Sequence, residues 1–161
     1  MDIQLYDLSD SSSKMLTDEY QQALPRINGS RVVYMDLRHS AYGLDGPWDH
    51  AAVFLYDLET DQETQLTNAE WIANNPDVFG DVVIWTDYRF CADPNNKNSF
   101  TDVELFGTNL ETEQTAQITD LPGHGKAFPR IWGERVYVQM YYGPGQWGIF
   151  AFDLPDELKT P

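Results

Sequence analysis

The sequence is short of sulfur, of positive charge and of any signature of common catalytic machinery. Cys91 is the single cysteine, so no intrachain disulfide can form. No neighbouring motif activates its thiol, and an inert side chain is expected. Lys and Arg number 10 against 26 Asp and Glu, a formal net charge of −16. Phosphate backbones are held by Lys and Arg, so this balance argues against nucleic acid and against anionic membrane surfaces. It fits a solvated acidic surface, with a cation or a basic partner as the sharper alternative. No apolar run is long enough to cross a membrane. Nothing at Met1-Asp2-Ile3-Gln4 resembles a leader, so the expectation is a cytoplasmic protein or one whose leader has been removed. There is no Gly-x-Ser-x-Gly elbow, no phosphate loop and no Cys-His motif, and no cofactor is expected. Helical periodicity is missing throughout; residues 18–24 and 68–74 leave room for one helical turn each.

What is present is a repeat. The stretch 52–67 reads as a strand (Val53, Leu55, Leu58), a polar turn at Glu59-Thr60-Asp61, and a second strand ending Gln65-Leu66-Thr67. It recurs as Leu5-Tyr6-Asp7-Leu8 before Met15-Leu16-Thr17, and as Leu105, Phe106 and Leu110 before Gln117-Ile118-Thr119. Phe150-Ala151-Phe152-Asp153-Leu154 begins a fourth copy. A second block, found at 25–38, 76–89 and 129–138, has a proline, an apolar residue two places on, a glycine, and then a β-branched and aromatic run. Gly29, Gly80 and Gly133 stand where a tight turn needs positive φ, and the prolines suit the start of a strand. Asp7 and Asp57 lie 50 residues apart, Pro25 and Pro76 51, and Pro76 and Pro129 53. Four strands per period of this size is the signature of a β-propeller blade. We call the four repeat positions A (after the proline), B (after the glycine), C (Leu-Tyr-Asp-Leu) and D (Leu-Thr).

Pro-x-apolar-x-Gly-Asp/Glu-x-Val-Val, Thr86-Asp87-Tyr88-Arg89, Leu55-Tyr56-Asp57-Leu58-Glu59-Thr60 and Gln65-Leu66-Thr67 together resemble the repeat of TolB-like β-propellers. The second copy fits best, and the first keeps Asp36 and Arg38. The third has Met140 and Tyr142 at those positions, and Gly107 and Asn109 are expected to disturb the strand C before it. The resemblance covers nearly the whole chain. It implies an all-β propeller that serves as a binding platform or accompanies a hydrolase or lyase, and a periplasmic or extracellular location.

Residues 1–161 read as a single domain whose strands run C-D, A-B-C-D, A-B-C-D, A-B-C, about three blades. Propellers close with about four to eight blades, so the expectation is either a six-bladed ring made by two chains or a fragment of a longer propeller. In this strand order the D–A and B–C connections share one face. The B–C connections 39–50 and 90–101 are long, and long loops on a rigid scaffold are where binding resides. Tyr42, Trp48, His50, Trp71, Phe90 and His124 are therefore the candidate ligand-binding residues, with Tyr20 and Phe128 beside them. Acidic neighbours Glu19, Asp45, Asp49, Glu70 and Asp93 suit stacking on a sugar or binding a peptide. Each aromatic taken singly also fits plain loop packing.

Asp36/Arg38 and Asp87/Arg89 recur, whereas a catalytic group is needed once; structural ion pairs are expected. Residues 92–99 are rich in oxygen ligands but lack the EF-hand spacing and glycine. His39, His50 and His124 have no short zinc spacing. The functional expectation is a non-catalytic scaffold binding a protein, peptide or carbohydrate through its long-loop face, with self-association as a homodimer. The alternative is a carbohydrate-active lyase or hydrolase with His, Arg and acidic groups converging on the axis.

Overall fold

Two-residue turns open each repeat. Gly29, Gly80 and Gly133 have φ of 58°, 55° and 59° and occupy the first turn position between paired residues Asn28 and Arg31, Phe79 and Val82, and Trp132 and Arg135. That position demands positive φ in the tight hairpin whose twist matches its strands. The computed structural model describes residues 2–41, 43, 49–91 and 101–159.

Thirteen strands form four antiparallel sheets among these residues. β1 (Gln4–Tyr6) pairs with β2 (Ser13–Met15). The next sheet holds β3 (Gln22–Asn28), β4 (Arg31–Asp36), β5 (Ala52–Asp57) and β6 (Gln62–Gln65) in chain order. It is followed by β7 (Ala73–Phe79), β8 (Val82–Asp87), β9 (Glu104–Asn109) and β10 (Gln114–Gln117). The last contains β11 (Lys126–Trp132), β12 (Arg135–Gly143) and β13 (Gln146–Asp153). A 3-10 turn, Asp156–Leu158, comes after β13. The observed order is thus C-D, A-B-C-D, A-B-C-D, A-B-C, and the architecture is all-β.

The sheets stack face to face, and the alternation of side chains along each strand divides the apolar residues between two neighbours. Val32 and Tyr34 pack with Ile3 and Leu16, which flank the strands of the first sheet. Val33 points the other way, into a cluster with Val78, Val83 and Trp85. Val82 and Ile84 in turn meet Ile131, Val136 and Val138 of the last sheet. Every residue of β8 is buried, because a sheet covers each of its faces; hence the unbroken Val-Val-Ile-Trp run. A fully buried Val or Ile contributes about 1.5–3 kcal/mol through the area it removes from water. β3, β7 and β11 lie at the same edge of their sheets, and β7 touches both of the others, so the A strands are innermost.

A set of hydrogen bonds recurs with the repeat. Thr17, Thr67 and Thr119 each accept, at Oγ1, the backbone N–H of the residue fourteen positions earlier, Ile3, Val53 and Leu105, at 2.8–2.9 Å. Asp7, Asp57 and Asn109 each accept the N–H two residues on, at 2.8–2.9 Å, and so shape the C–D turns. On that same side Gly80 N–H donates to Asn28 Oδ1 at 2.9 Å and Arg31 pairs with Asp81, tying neighbouring turns together.

Three sequence expectations are corrected. The prolines do not begin strand A; it starts three residues earlier, and each proline follows a residue of positive φ (Leu24, Asn75, Phe128; 57°, 50°, 53°) at a shift of register. Such a bulge leaves a position with no ladder partner, which suits a residue without an N–H. Residues 18–24 and 68–74 form no helical turn, since the second half of each stretch already belongs to, or leads straight into, strand A. Gly107 and Asn109 do not disturb strand C. β9 is a regular six-residue strand, buried throughout, in which Gly107 makes room for Leu158 and Asn109 Nδ2 donates to the Leu158 carbonyl at 3.2 Å.

Candidate functional site

The D–A and B–C loops meet on one side of the arc. Between the loop after β8 and the loop after β10 lies a cavity of about 340 Å³ lined by Phe90, Asp102, Glu104, Gln117, Asp120 and Pro122. Phe90 is 53% exposed and its ring lies 6.2 Å from that of Phe106. Three carboxylates and one aromatic ring thus share an opening whose floor is fixed by a buried ion pair.

That pair is Glu104 and Lys126, whose side chains are 4% and 0% exposed. Lys126 Nζ donates to Glu104 Oε1 at 2.9 Å and to the carbonyls of Leu121 and His124 at 2.8 Å each, using all three of its protons. Glu104 also accepts the Leu121 N–H at 2.9 Å and the Thr119 hydroxyl. Burial pulls the Lys126 ammonium below its ordinary range, against the pull of Glu104 in the other direction. A buried charge tolerates this only when it is fully hydrogen-bonded. The result pins the β10–β11 loop and sets the cavity wall before any ligand arrives.

Two of the sequence candidates fall at this end of the molecule with distinct environments. The His124 backbone is held by Lys126, and its Nδ1 lies 3.0 Å from the Pro122 carbonyl. His50 has φ of 59° and its Nδ1 lies 2.5 Å from the Ala69 carbonyl, so the two imidazoles are tied to different loops. Trp71 stacks on Arg89, its ring 4.8 Å from the guanidinium carbon, and the Phe106 ring lies 3.8 Å from the same carbon. Tyr20 holds the same repeat position, five residues before the proline, and stacks on Arg38 at 5.2 Å, with Phe54 at 4.0 Å. Tyr20 and Phe128 remain 56% exposed. Tyr42, Trp48 and residues 92–99 lie outside the described residues.

The two Asp/Arg pairs are structural. Asp36 and Asp87 are fully buried; Arg38 and Arg89 each bind their aspartate through Nε and one terminal nitrogen at 2.8–2.9 Å, and through the backbone N–H. Hydrogen bonding to Asp36 holds the Arg38 guanidinium above its ordinary value. Each pair closes the end of strand B and carries a loop aromatic on its outer face. In the third repeat Met140 is buried at the aspartate position, and Tyr142 packs edge-on against Phe150 at 5.6 Å.

His39 Nε2 lies 3.3 Å from Gln65 Oε1. Among the described residues no group of three or more His, Cys, Asp or Glu side chains has metal-binding geometry. One cluster went unremarked in the sequence: Arg26, Asp77 and Arg130, each the residue after the repeat proline, on the three inner strands. A charge at that one position in all three copies was the available signal.

No family model matches the chain, and no curated protein matches it. Solved structures do. TolB from Acinetobacter baumannii is 16% identical and superposes with a TM-score of 0.68 over 95% of this chain and 35% of its own length. An oligogalacturonate lyase in complex with manganese is 14% identical, with a TM-score of 0.66 over 98% of this chain and 46% of its own. A prolyl endopeptidase matches at 12% identity and a TM-score of 0.60, over 92% of this chain and 22% of its own. The chain therefore spans less than half the length of these structures, and what they share with it is the fold of a TolB-like β-propeller.

Proposed function

We propose that this chain is a propeller binding module that takes its ligand, a peptide, a protein segment or a carbohydrate, on the face formed by the D–A and B–C loops. The observation that carries the reading is the cavity bounded by Phe90, Asp102, Glu104 and Asp120 over a floor preset by Lys126. An exposed ring beside carboxylates offers a stacking surface and hydrogen-bond acceptors, the combination that suits a sugar face or a basic side chain. The rigid floor lowers the ordering cost of binding. The test is a screen of the chain against peptide and neutral and acidic oligosaccharide libraries, followed by Phe90→Ala. Loss of binding by at least tenfold supports the reading; retained binding overturns it. The same mixtures, followed over time, separate the enzymatic alternative favoured by the lyase and peptidase neighbours: product formation assigns turnover, and unchanged ligand assigns binding.

Self-association is part of the proposal. The outer face of β11–β13 exposes Trp132, Tyr137, Trp147 and Ile149 at 72%, 40%, 49% and 74%. Val33 and Ile84, at the repeat position of Tyr137, are fully buried by the sheet that follows them. An apolar face of this kind is an association surface, and we assign it to a second copy of the chain. Light scattering after size exclusion supports this with a dimer that Ile149→Lys dissociates; a monomer at all concentrations contradicts it.

A further inference from the structure

Asp77 on β7 bridges the two neighbouring inner strands. Its Oδ2 accepts the Ile131 N–H of β11 at 2.9 Å, and its Oδ1 lies 4.0 Å from Arg26 Nε on β3. Asp77 is 8% exposed, whereas Arg26 keeps a third of its side chain open and Arg130 is exposed. Arg26 and Arg130 each donate one terminal nitrogen to the carbonyl of their own preceding proline, at 2.7 Å and 2.6 Å. Those contacts use one proton of each guanidinium, and the two arginines hold the same repeat position on the inner strands that flank β7. Two positive charges thus face one carboxylate, leaving one positive charge over, on the inner edge of a chain whose net charge is −16. Burial, and then the proximity of Arg26, pull the Arg130 guanidinium below its ordinary value, against the opposing pull of Asp77.

We infer that Arg26 and Arg130 form a binding site for a single carboxylate, with Asp77 as the resident group that holds the site open and tempers its affinity. Planar guanidinium forks match a carboxylate through paired hydrogen bonds. The net charge of the chain repels polyanions, so the ligand is one that carries an isolated carboxylate, such as a peptide terminus or a single uronate. The site is independent of the loop cavity, and neither stands or falls with the other.

The experiment follows the side-chain Nε–H resonances of Arg26 and Arg130 by NMR during titration with four probes. These are an N-acetylated neutral tripeptide with a free C-terminus, its C-terminal amide, glucuronate, and glucuronate methyl ester. The inference predicts that a free-carboxylate probe shifts both resonances and its blocked counterpart does not. Whether the tripeptide or glucuronate binds more tightly assigns the source of the carboxylate. Arg26→Gln and Arg130→Gln each weaken the binding by about tenfold or more, the loss of one charge-assisted pair. Asp77→Asn tightens it several-fold, a result that a purely structural role for the three residues does not give. Equal shifts from free and blocked probes, or affinities unchanged in both folded arginine variants, overturn the inference. If Asp77→Asn fails to fold, the two arginine variants decide.

Discussion

Leu158 rests in the space left by Gly107. A Cβ at position 107 would lie 2.9 Å from Leu158 Cδ1, 3.0 Å from the Val83 carbonyl oxygen and 3.2 Å from Ile84 Cγ2. The leucine tip can shift, but the Val83 oxygen is backbone in a central strand and cannot. Gly107→Ala is therefore expected to destabilise the fold by about 1–3 kcal/mol through overpacking. Leu158→Ala empties the same space and is expected to cost about 2–5 kcal/mol. Urea denaturation of the two single variants and the double variant checks this. The double variant should cost less than the sum, because the alanine methyl at 107 partly fills the void.

Arg89 and Asp87 give the second prediction. Asp87 is fully buried and accepts from Arg89 Nε and a terminal nitrogen at 2.8 Å and from Trp85 Nε1 at 3.0 Å. Asp87→Ala leaves both donors without their acceptor and is expected to cost about 3–5 kcal/mol. Arg89→Lys keeps the charge but loses the fork and the planar contacts with the Trp71 and Phe106 rings. It is expected to cost about 1–2 kcal/mol, measured by urea denaturation.

Acid stability should follow the C–D turns. Hydrogen bonds from Ser9 hold the Asp7 carboxyl below the usual carboxylate range, and those from Ser12 do the same for Asp10. Asp61 is held down by Lys14 and then by Tyr56. A carboxyl whose folded value is lower than its unfolded one binds its proton more readily in the unfolded chain. Its contribution is therefore complete above about pH 4 and is lost as the pH falls through the folded value. Asn109 shapes the third turn with a neutral side chain. Asp7→Asn is thus expected to leave stability near pH 7 almost unchanged and to flatten its fall below pH 4, measured by thermal unfolding across that range.

Cys91 should be silent in the folded protein. Burial, with Asp102 adding to it, pushes its thiol up to about 11. At pH 8 a thiol-specific chromogenic reagent is expected to react slowly with the native chain and at the rate of a free thiol in denaturant. Rapid native reaction would contradict the burial of this side chain.

Much of this architecture was legible because it is local and repeated. The glycines at 29, 80 and 133 marked the hairpins, and Asp36/Arg38 with Asp87/Arg89 announced their own pairing by recurring two residues apart. What escaped the sequence was non-local. Gly107 reads as a strand breaker until Leu158, 51 residues later, is seen to fold back on it. Lys126 replaces Gln22 and Ala73 of the earlier repeats, and nothing in its neighbourhood reveals that Glu104 waits across the cavity floor. The bulges were hidden because a proline suits a strand start and a bulge equally well. Phe90 was legible as a loop aromatic; that it shares a cavity with Asp102 and Asp120 depended on how two loops meet.

The central claim is that ligands engage the D–A and B–C loop face. Hydrogen exchange with and without the tightest ligand from the library screen tests it most directly. The account predicts added protection in residues 101–104 and 117–126, around the cavity, and none at the A–B turns near Gly29, Gly80 and Gly133. Protection at those turns, with the cavity loops unchanged, would contradict it.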